Sequence, residues 1–283
     1  MNDFAPFWLI TGASSGLGYA FAKKALQSGD NVAGLARHIE TLEELRQDYP
    51  TQLFPMVADV TQKEAITQAI QKVHQHFGHI DIVVNSAGSM MLGMAEEFTE
   101  QQVRDQMETN FFGAVWVTQA VMPIMRSQQS GHIIQISSIG GIVTGPMTSM
   151  YSASKFALEG FSEALAHEAA HFGIHTTIVE PGGYWTNLYV KLQFAEQLPG
   201  YDSYREELSQ QENQSVDSAP ELAADALWEI VQAKNPPLRF ILGSMVFDAA
   251  LDHTTKKINT WREWEPASRH AEKATPPPEG YGA

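Results

Sequence analysis

The chain has 283 residues, 43% of them hydrophobic, which is enough for one large α/β domain. Its formal net charge is −15, from 18 basic and 33 acidic residues, which argues against nucleic acid or an anionic membrane as a partner. It has no cysteine, so disulfides, thiolate catalysis and cysteine-ligated zinc are excluded, and a cytoplasmic setting is expected.

A short apolar run followed by an amphipathic stretch repeats along the chain, with no fixed internal period. The first run, "FWLIT" (7–11), has no basic flank and no small-residue cleavage site, so no signal peptide is expected. No apolar run reaches the roughly 18 residues that a spanning helix needs. "LITGASSGLG" leads from this strand into a helix expected over 16–28, and Gly12, Gly16 and Gly18 have the spacing G-x-x-x-G-x-G. Glycines there let the backbone turn tightly and approach a pyrophosphate, while the helix N-terminus offers free N–H groups and a partial positive charge. Ser14 and Ser15 add hydroxyl donors, and Leu17 lies between the last two glycines. The loop therefore reads as a dinucleotide site, formed by Gly12, Ser14, Ser15, Gly16, Leu17 and Gly18.

The second strand, "NVAGLA" (31–36), ends at Arg37. A site for NAD(H) wants an acid about 20 residues after the glycines, to bind the ribose 2′-hydroxyl. Arg37 instead suits a 2′-phosphate, so NADP(H) is the expected cofactor. A helix (40–48), a strand (53–58), a helix (61–76) and a strand (81–85) follow. "HQHFGH" (74–79) falls where a helix ends at Gly78, a place that favours cationic and polar residues.

A helical pattern covers 101–128, "HIIQIS" (132–137) is a strand, and the next helix spans 150–172. Tyr151 and Lys155 are four residues apart on it and share a face. A free phenol has a pKa near 10, too high for a base at neutral pH, and a neighbouring ammonium favours the phenolate. Tyr151 is then the expected acid and base of a carbonyl/alcohol interconversion. Ser138, thirteen residues earlier, follows the fifth strand and can polarise the substrate oxygen. The same helix carries "HEAAH" (167–171), the pattern of zinc proteases. At roughly 100° per residue, His167 and His171 point away from Tyr151, and no third ligand is spaced to join them. No metal is expected.

A strand (175–180) precedes 187–219, a long irregular stretch with Leu188, Tyr189, Leu192, Phe194, Leu198, Tyr201 and Tyr204 that reads as a substrate lid. With Tyr184, Trp185, Met90, Met91, Leu92 and Met94, it suggests an apolar or ring-bearing substrate, packing of the same residues into the core being an equal rival. A helix (220–233), a strand (238–242), a C-terminal helix (244–265) and a tail (266–283) complete the chain. Strands too apolar to have a wet face belong to a covered parallel sheet. Residues 1–265 are thus expected to form one α/β domain, a doubly wound, seven-stranded, Rossmann-type three-layer sandwich with a helical lid.

Seven pieces occur in order: "TGASSGLG", "ADVT", "NSAG", "TNFFG", "ISS", "YSASK" and "PGGYWT". Together they resemble the short-chain dehydrogenase/reductase family over about residues 7–242. The resemblance implies strand order 3-2-1-4-5-6-7 and hydride exchange between a nicotinamide and an alcohol/carbonyl pair. Its spacing selects Ser138 over Ser137. It also implies that Lys155 binds the nicotinamide ribose and that Asn110 holds a water connecting Lys155 to solvent. Asp59 and Val60 are expected at the adenine; Asn85, Ala87 and Gly88 along the cofactor; Pro181, Gly182, Tyr184 and Thr186 at the nicotinamide amide and pyrophosphate. "NSAG" departs from the commoner N-N-A-G. The far side of the Tyr151 helix has small residues and implies a homodimer or homotetramer. The C-terminal segment resembles that of bacterial members of unassigned substrate. A non-catalytic NADP(H) sensor would need the glycine loop without the Tyr–Lys–Ser set. Nucleotide-sugar epimerases usually show a different glycine spacing and a longer C-terminal domain.

Overall fold

Apolar runs become a parallel sheet when helices cover both faces, and here they do. The structure, a computed structural model, describes residues 5–210, 216–273, 275 and 280. In chain order its elements are β1 (Phe7–Thr11), α1 (Gly16–Gln27), β2 (Asn31–Ala36), α2 (Glu40–Arg46), β3 (Leu53–Val57), α3 (Lys63–Phe77), β4 (Ile82–Asn85), β5 (Met91–Leu92), α4 (Glu100–Met107), a π-helical turn (Glu108–Phe112), α5 (Gly113–Gln128), β6 (Gly131–Ile136), α6 (Ser149–Ala170), β7 (Ile174–Pro181), α7 (Asn187–Val190), β8 (Gln193–Phe194), α8 (Asp202–Gln210), α9 (Pro220–Gln232), β9 (Arg239–Leu242), α10 (Ser244–Glu263) and α11 (Glu265–His270).

Seven strands form one sheet in the order β3-β2-β1-β4-β6-β7-β9, with every pairing parallel. This is the α/β fold and strand order expected from the sequence. Successive side chains of β1 point to opposite faces. Trp8 and Ile10 join Phe21 of α1 and Leu227 of α9 in one core layer. Phe7 and Leu9 join Ile70 of α3, Val121 of α5 and Leu165 of α6 in the other. Each such fully buried side chain contributes about 1.5–3 kcal/mol of transfer free energy, so the two layers hold the sheet rigid under the site. Thr11 of β1 registers with Leu35 of β2 and Asn85 of β4, which aligns the strand ends where the strand order reverses. A crevice opens outside such a switch point.

Three elements differ from the sequence reading. The stretch 101–128 is not one regular helix, because the π turn separates α4 from α5. β5 and β8 pair as a two-stranded parallel sheet, too short to show periodicity. Helix continues as α11 through His270, inside the expected tail. Residues 211–215 of the expected lid, and 274, 276–279 and 281–283 of the tail, lie outside the described residues.

Candidate active site

A cleft of about 600 Å³ runs along the C-terminal ends of β1, β2, β4, β6 and β7. Its floor is the turn from β1 into α1. Gly12 has φ +66°, and a Cβ on it would stand 2.9 Å from the backbone of Ala87. A Cβ on Gly18 would stand 2.5 Å from the carbonyl oxygen of Gly12, so α1 can begin this close to β1 only with glycine. Thr11 Oγ1 accepts from the N–H groups of Ser86 (3.1 Å) and Ala87 (3.2 Å), which ties the ends of β1 and β4 together. Ser15 caps α1 in an extended conformation without a side-chain hydrogen bond, and the first turn of α1 has no acidic residue. The positive end of α1 and the hydroxyls of Ser14 and Ser15 are thus available to an anion in the cleft.

Arg37, at the end of β2, lines the same cleft and forms no ion pair among the described residues. Asp59 and Val60 line it beyond β3. Oδ1 of Asp59 is already committed to Thr61, accepting from its N–H at 3.0 Å and its hydroxyl at 2.9 Å. On the opposite wall stand Ala87 and Gly88 after β4, and Pro181, Gly182, Tyr184 and Thr186 after β7. A Cβ on Gly16 would lie 3.2 Å from Thr186 Cβ, so the root of the lid touches the glycine loop.

Ser138, Tyr151 and Lys155 meet in this cleft. Ser138 follows β6, and its Oγ accepts from Gly140 N–H at 3.0 Å. A Cβ on Gly140 would lie 3.5 Å from that Oγ and 3.0 Å from Tyr151 Cε1, so the serine and tyrosine side chains converge around this glycine. Lys155 Nζ donates to the carbonyl oxygen of Ile136 at 2.9 Å and lies 5.8 Å from the centre of the Tyr151 ring. The choice between adjacent serines follows from bonding: Ser137 Oγ donates to Glu159 at 2.7 Å, which leaves Ser138 beside the phenol.

In the protein alone, burial dominates the electrostatics of the phenol and its lysine. Burial pushes the Tyr151 hydroxyl up to about 12, against a hydrogen bond with Ser138 that pulls it down. Burial also brings Lys155 down to about 8, partly opposed by the negative charge of Glu159. Loss of water disfavours the charged form of each group. The protein alone therefore keeps a neutral phenol beside an ammonium that is still charged at pH 7.

Two expected site residues stand behind the wall of the cleft. Asn85 does not line the cleft, because its amide turns inward and donates to Gln135 Oε1 at 3.0 Å and Thr118 Oγ1 at 3.4 Å. Asn110, in the π turn, does not line it either. Its Oδ1 accepts from Ser89 N–H (2.8 Å), and its Nδ2 donates to Ser89 O (3.0 Å) and Ser154 Oγ (3.0 Å). The side chain mimics a strand neighbour for Ser89 and so fixes the segment after Gly88.

The sequence reading missed a charged cluster behind the site. Arg239 of β9 pairs with Glu159 at 2.7 Å, with Glu163 at 2.9 Å and with the fully buried Glu180. Burial, followed by the negative charge of Glu159, pushes Glu180 up to about 7. Glu159 stands four residues after Lys155, a spacing that marks it as a neighbour on the same helix face. The pairing of Glu180 with Arg239, 59 residues apart, carries no such signal.

The stretch after β7 that the sequence reads as a lid borders the other end of the cleft. Leu188, Tyr189, Lys191 and Gln193 line it together with Met90. Met91 and Met94 are instead core residues, whereas Trp185 (67% exposed) and Val190 (82%) face solvent. The lid is pinned to the loop after β5. Buried Glu97 accepts from Met94 N–H (2.7 Å) and Leu198 N–H (2.8 Å) and pairs with Arg205 of α8. His167 and His171 are exposed on α6, and among the described residues no three His, Asp or Glu side chains converge on a metal-sized space. No helix among the described residues is long and apolar enough to cross a membrane.

The family model described as short chain dehydrogenase matches residues 7–197. An oxidoreductase of Botryotinia fuckeliana, BOA17, is 36% identical over 270 residues, covering 92% of this chain and 98% of the relative. The 3-ketodihydrosphingosine reductase of Bacteroides thetaiotaomicron is 38% identical over 244 residues, covering 84% of this chain and 88% of the relative. A short-chain dehydrogenase of known structure from Streptomyces avermitilis superposes with a TM-score of 0.88 at 39% identity, covering 96% of this chain and 100% of that one.

Proposed function

The chain belongs to the short-chain dehydrogenase/reductase family and is an oxidoreductase, and from that premise we propose that it exchanges a hydride between NADP(H) and an alcohol/carbonyl pair, with Tyr151 as acid and base. The observation that carries the proposal is that Ser138, Tyr151 and Lys155 open into the same cleft as the glycine turn and Arg37. The bound dinucleotide supplies or takes up the hydride at its nicotinamide ring.

The residues present fit that group. The glycine turn and the first N–H groups of α1, with Ser14 and Ser15, would hold the pyrophosphate. Unpaired Arg37 would hold the 2′-phosphate and so favour NADP(H) over NAD(H). Asp59 and Val60 would border the adenine, Ala87 and Gly88 the ribose side, and Pro181, Gly182, Tyr184 and Thr186 the nicotinamide end. Asn110 acts on this site through the Ser89 backbone that it holds, and Asn85 through the side chains of Gln135 and Thr118 behind β4 and β6.

Ser138 holds and polarises the substrate oxygen. Tyr151, neutral at pH 7, gives that oxygen a proton in carbonyl reduction and takes it back in alcohol oxidation. Lys155, cationic below about 8, favours the phenolate left behind. Such a positioned acid contributes about 10²–10⁴ in rate. Met90, Leu188 and Tyr189 favour an apolar group on the substrate. The name of the Bacteroides relative supports the direction of carbonyl reduction. The working form is a cytoplasmic homo-oligomer in which the outer face of α6 meets a second copy.

The test is isotope transfer. NADPH carrying deuterium at the transferable position is incubated with the protein and a panel of ketones, aldehydes and quinones. One deuterium on the product carbon is expected. Tight NADPH binding with no labelled product from any carbonyl would contradict the proposal and favour a non-catalytic sensor.

A further inference from the structure

Helix α10 leaves the sheet at Gly243 and runs for 20 residues, roughly 30 Å. Only Ala250 on it is buried. The stripe facing its own chain is Val246, Ala250, His253 and Lys257: Val246 packs beside Gly182, and Lys257 Nζ lies 5.4 Å over the Phe156 ring of α6. A second stripe, one residue further round, is Phe247, Leu251, Thr254, Ile258 and Trp261, spaced 4, 3, 4 and 3 residues apart. This is the seam spacing of paired helices. Its apolar members are 48%, 54%, 36% and 67% exposed, in the order Phe247, Leu251, Ile258 and Trp261. A soluble chain rarely leaves so long an apolar stripe in water.

The charges beside the seam name its occupant. Asp248 and Arg262 lie on the same flank, each one residue after an end member of the stripe. Neither forms an ion pair among the described residues. We propose that α10 pairs antiparallel with α10 of a second copy of this chain, about a two-fold axis near Thr254. That register sets Phe247 against the copy's Trp261 and Leu251 against its Ile258. It also sets Asp248 against Arg262, twice by symmetry. A parallel pair would place the two Asp248 side chains on opposite flanks of the seam, and the two Arg262 likewise, so that neither charge would meet its opposite. A membrane would meet a threonine in mid-seam and a chain of net charge −15. The seam continues past Phe156 onto the outer face of α6, where Gly160 has open space around it. One copy can therefore cover both surfaces.

The absence of cysteine makes the test direct. Thr254→Cys and, on the opposite face of α10, Ala249→Cys each introduce a single thiol. With a short bis-maleimide at micromolar protein, Thr254→Cys is expected to give covalent dimer at least about tenfold faster than Ala249→Cys. Adding Leu251→Glu and Ile258→Glu should abolish the dimer. Asp248→Arg should weaken it, and Arg262→Asp added to Asp248→Arg should restore it. NADPH binding should persist in every variant, which separates loss of pairing from loss of fold or of the cleft. Equal cross-linking at 249 and 254, a wild type that sediments as a monomer, or pairing that survives the two glutamates would overturn the proposal.

Discussion

The two ends of the cleft are held by different forces. At the glycine turn the contacts are backbone on backbone: Gly18 against the carbonyl of Gly12, Gly12 against Ala87, and the strand ends tied by Thr11. Across the stretch after β7 the contacts are side chains: Glu97 receives the Leu198 N–H and the Arg205 guanidinium, while Trp185 and Val190 lie in water. Backbone packing tolerates almost no change of residue, whereas a lid pinned by one carboxylate can change its side chains without disturbing the sheet. The contrast teaches that the glycine end of the cleft is fixed in shape by backbone packing, whereas the shape of the other end is set by replaceable side chains.

Substitutions at either end test this contrast. The largest effect is expected at Gly18→Val, whose branched side chain would enter the space that the Gly12 carbonyl occupies. NADPH affinity should fall more than about 100-fold in titration calorimetry, with a lower melting temperature. Arg37→Asp should follow, since a charge-assisted hydrogen bond is worth about 1.5–3 kcal/mol. NADPH binding should weaken roughly 10- to 100-fold and NADH binding hardly at all, and an unchanged ratio of the two would refute the role of Arg37. At the other end, Glu97→Gln removes the charge opposite Arg205, at about 1–3 kcal/mol of lid stability. Amide exchange over 187–210 should speed up and KM for the carbonyl should rise, with NADPH affinity intact. Loss of NADPH affinity in this variant would mean that the two ends are not independent.

The smallest effect is on pH. Lys155 is brought down to about 8, so its ammonium is present below that pH and lost above it. Carbonyl reduction should therefore be flat below about pH 8 and decline above it. Glu159→Gln removes a charge that raises the Lys155 value, so the decline should begin at lower pH.

What the sequence disclosed follows the range of the forces involved. β1 reads as a strand because all five of its residues are buried, and a run without a wet face has few other homes. The glycine turn and the Tyr151–Lys155 pair are legible because their chemistry is local, within one turn or one helix face. Asn85 and Asn110 are in the motifs expected of them, yet both side chains turn toward distant partners, Gln135 and Ser154, that no local pattern names. The shifts of Tyr151 and Lys155 have a related origin. The lysine is visible four residues away, but the burial that dominates both groups comes from the assembled layers. Arg239, which gathers three carboxylates from α6 and β7, joins parts of the chain that only the folded sheet brings together.

The central claim is proton transfer by a buried phenol, and Tyr151→Phe tests it most directly, because it removes one oxygen and leaves the ring. In parallel titrations and single-turnover assays, the variant should bind NADPH as the wild type does and reduce carbonyls at least about 100-fold more slowly. Reduction at an undiminished rate, with binding intact, would contradict the account.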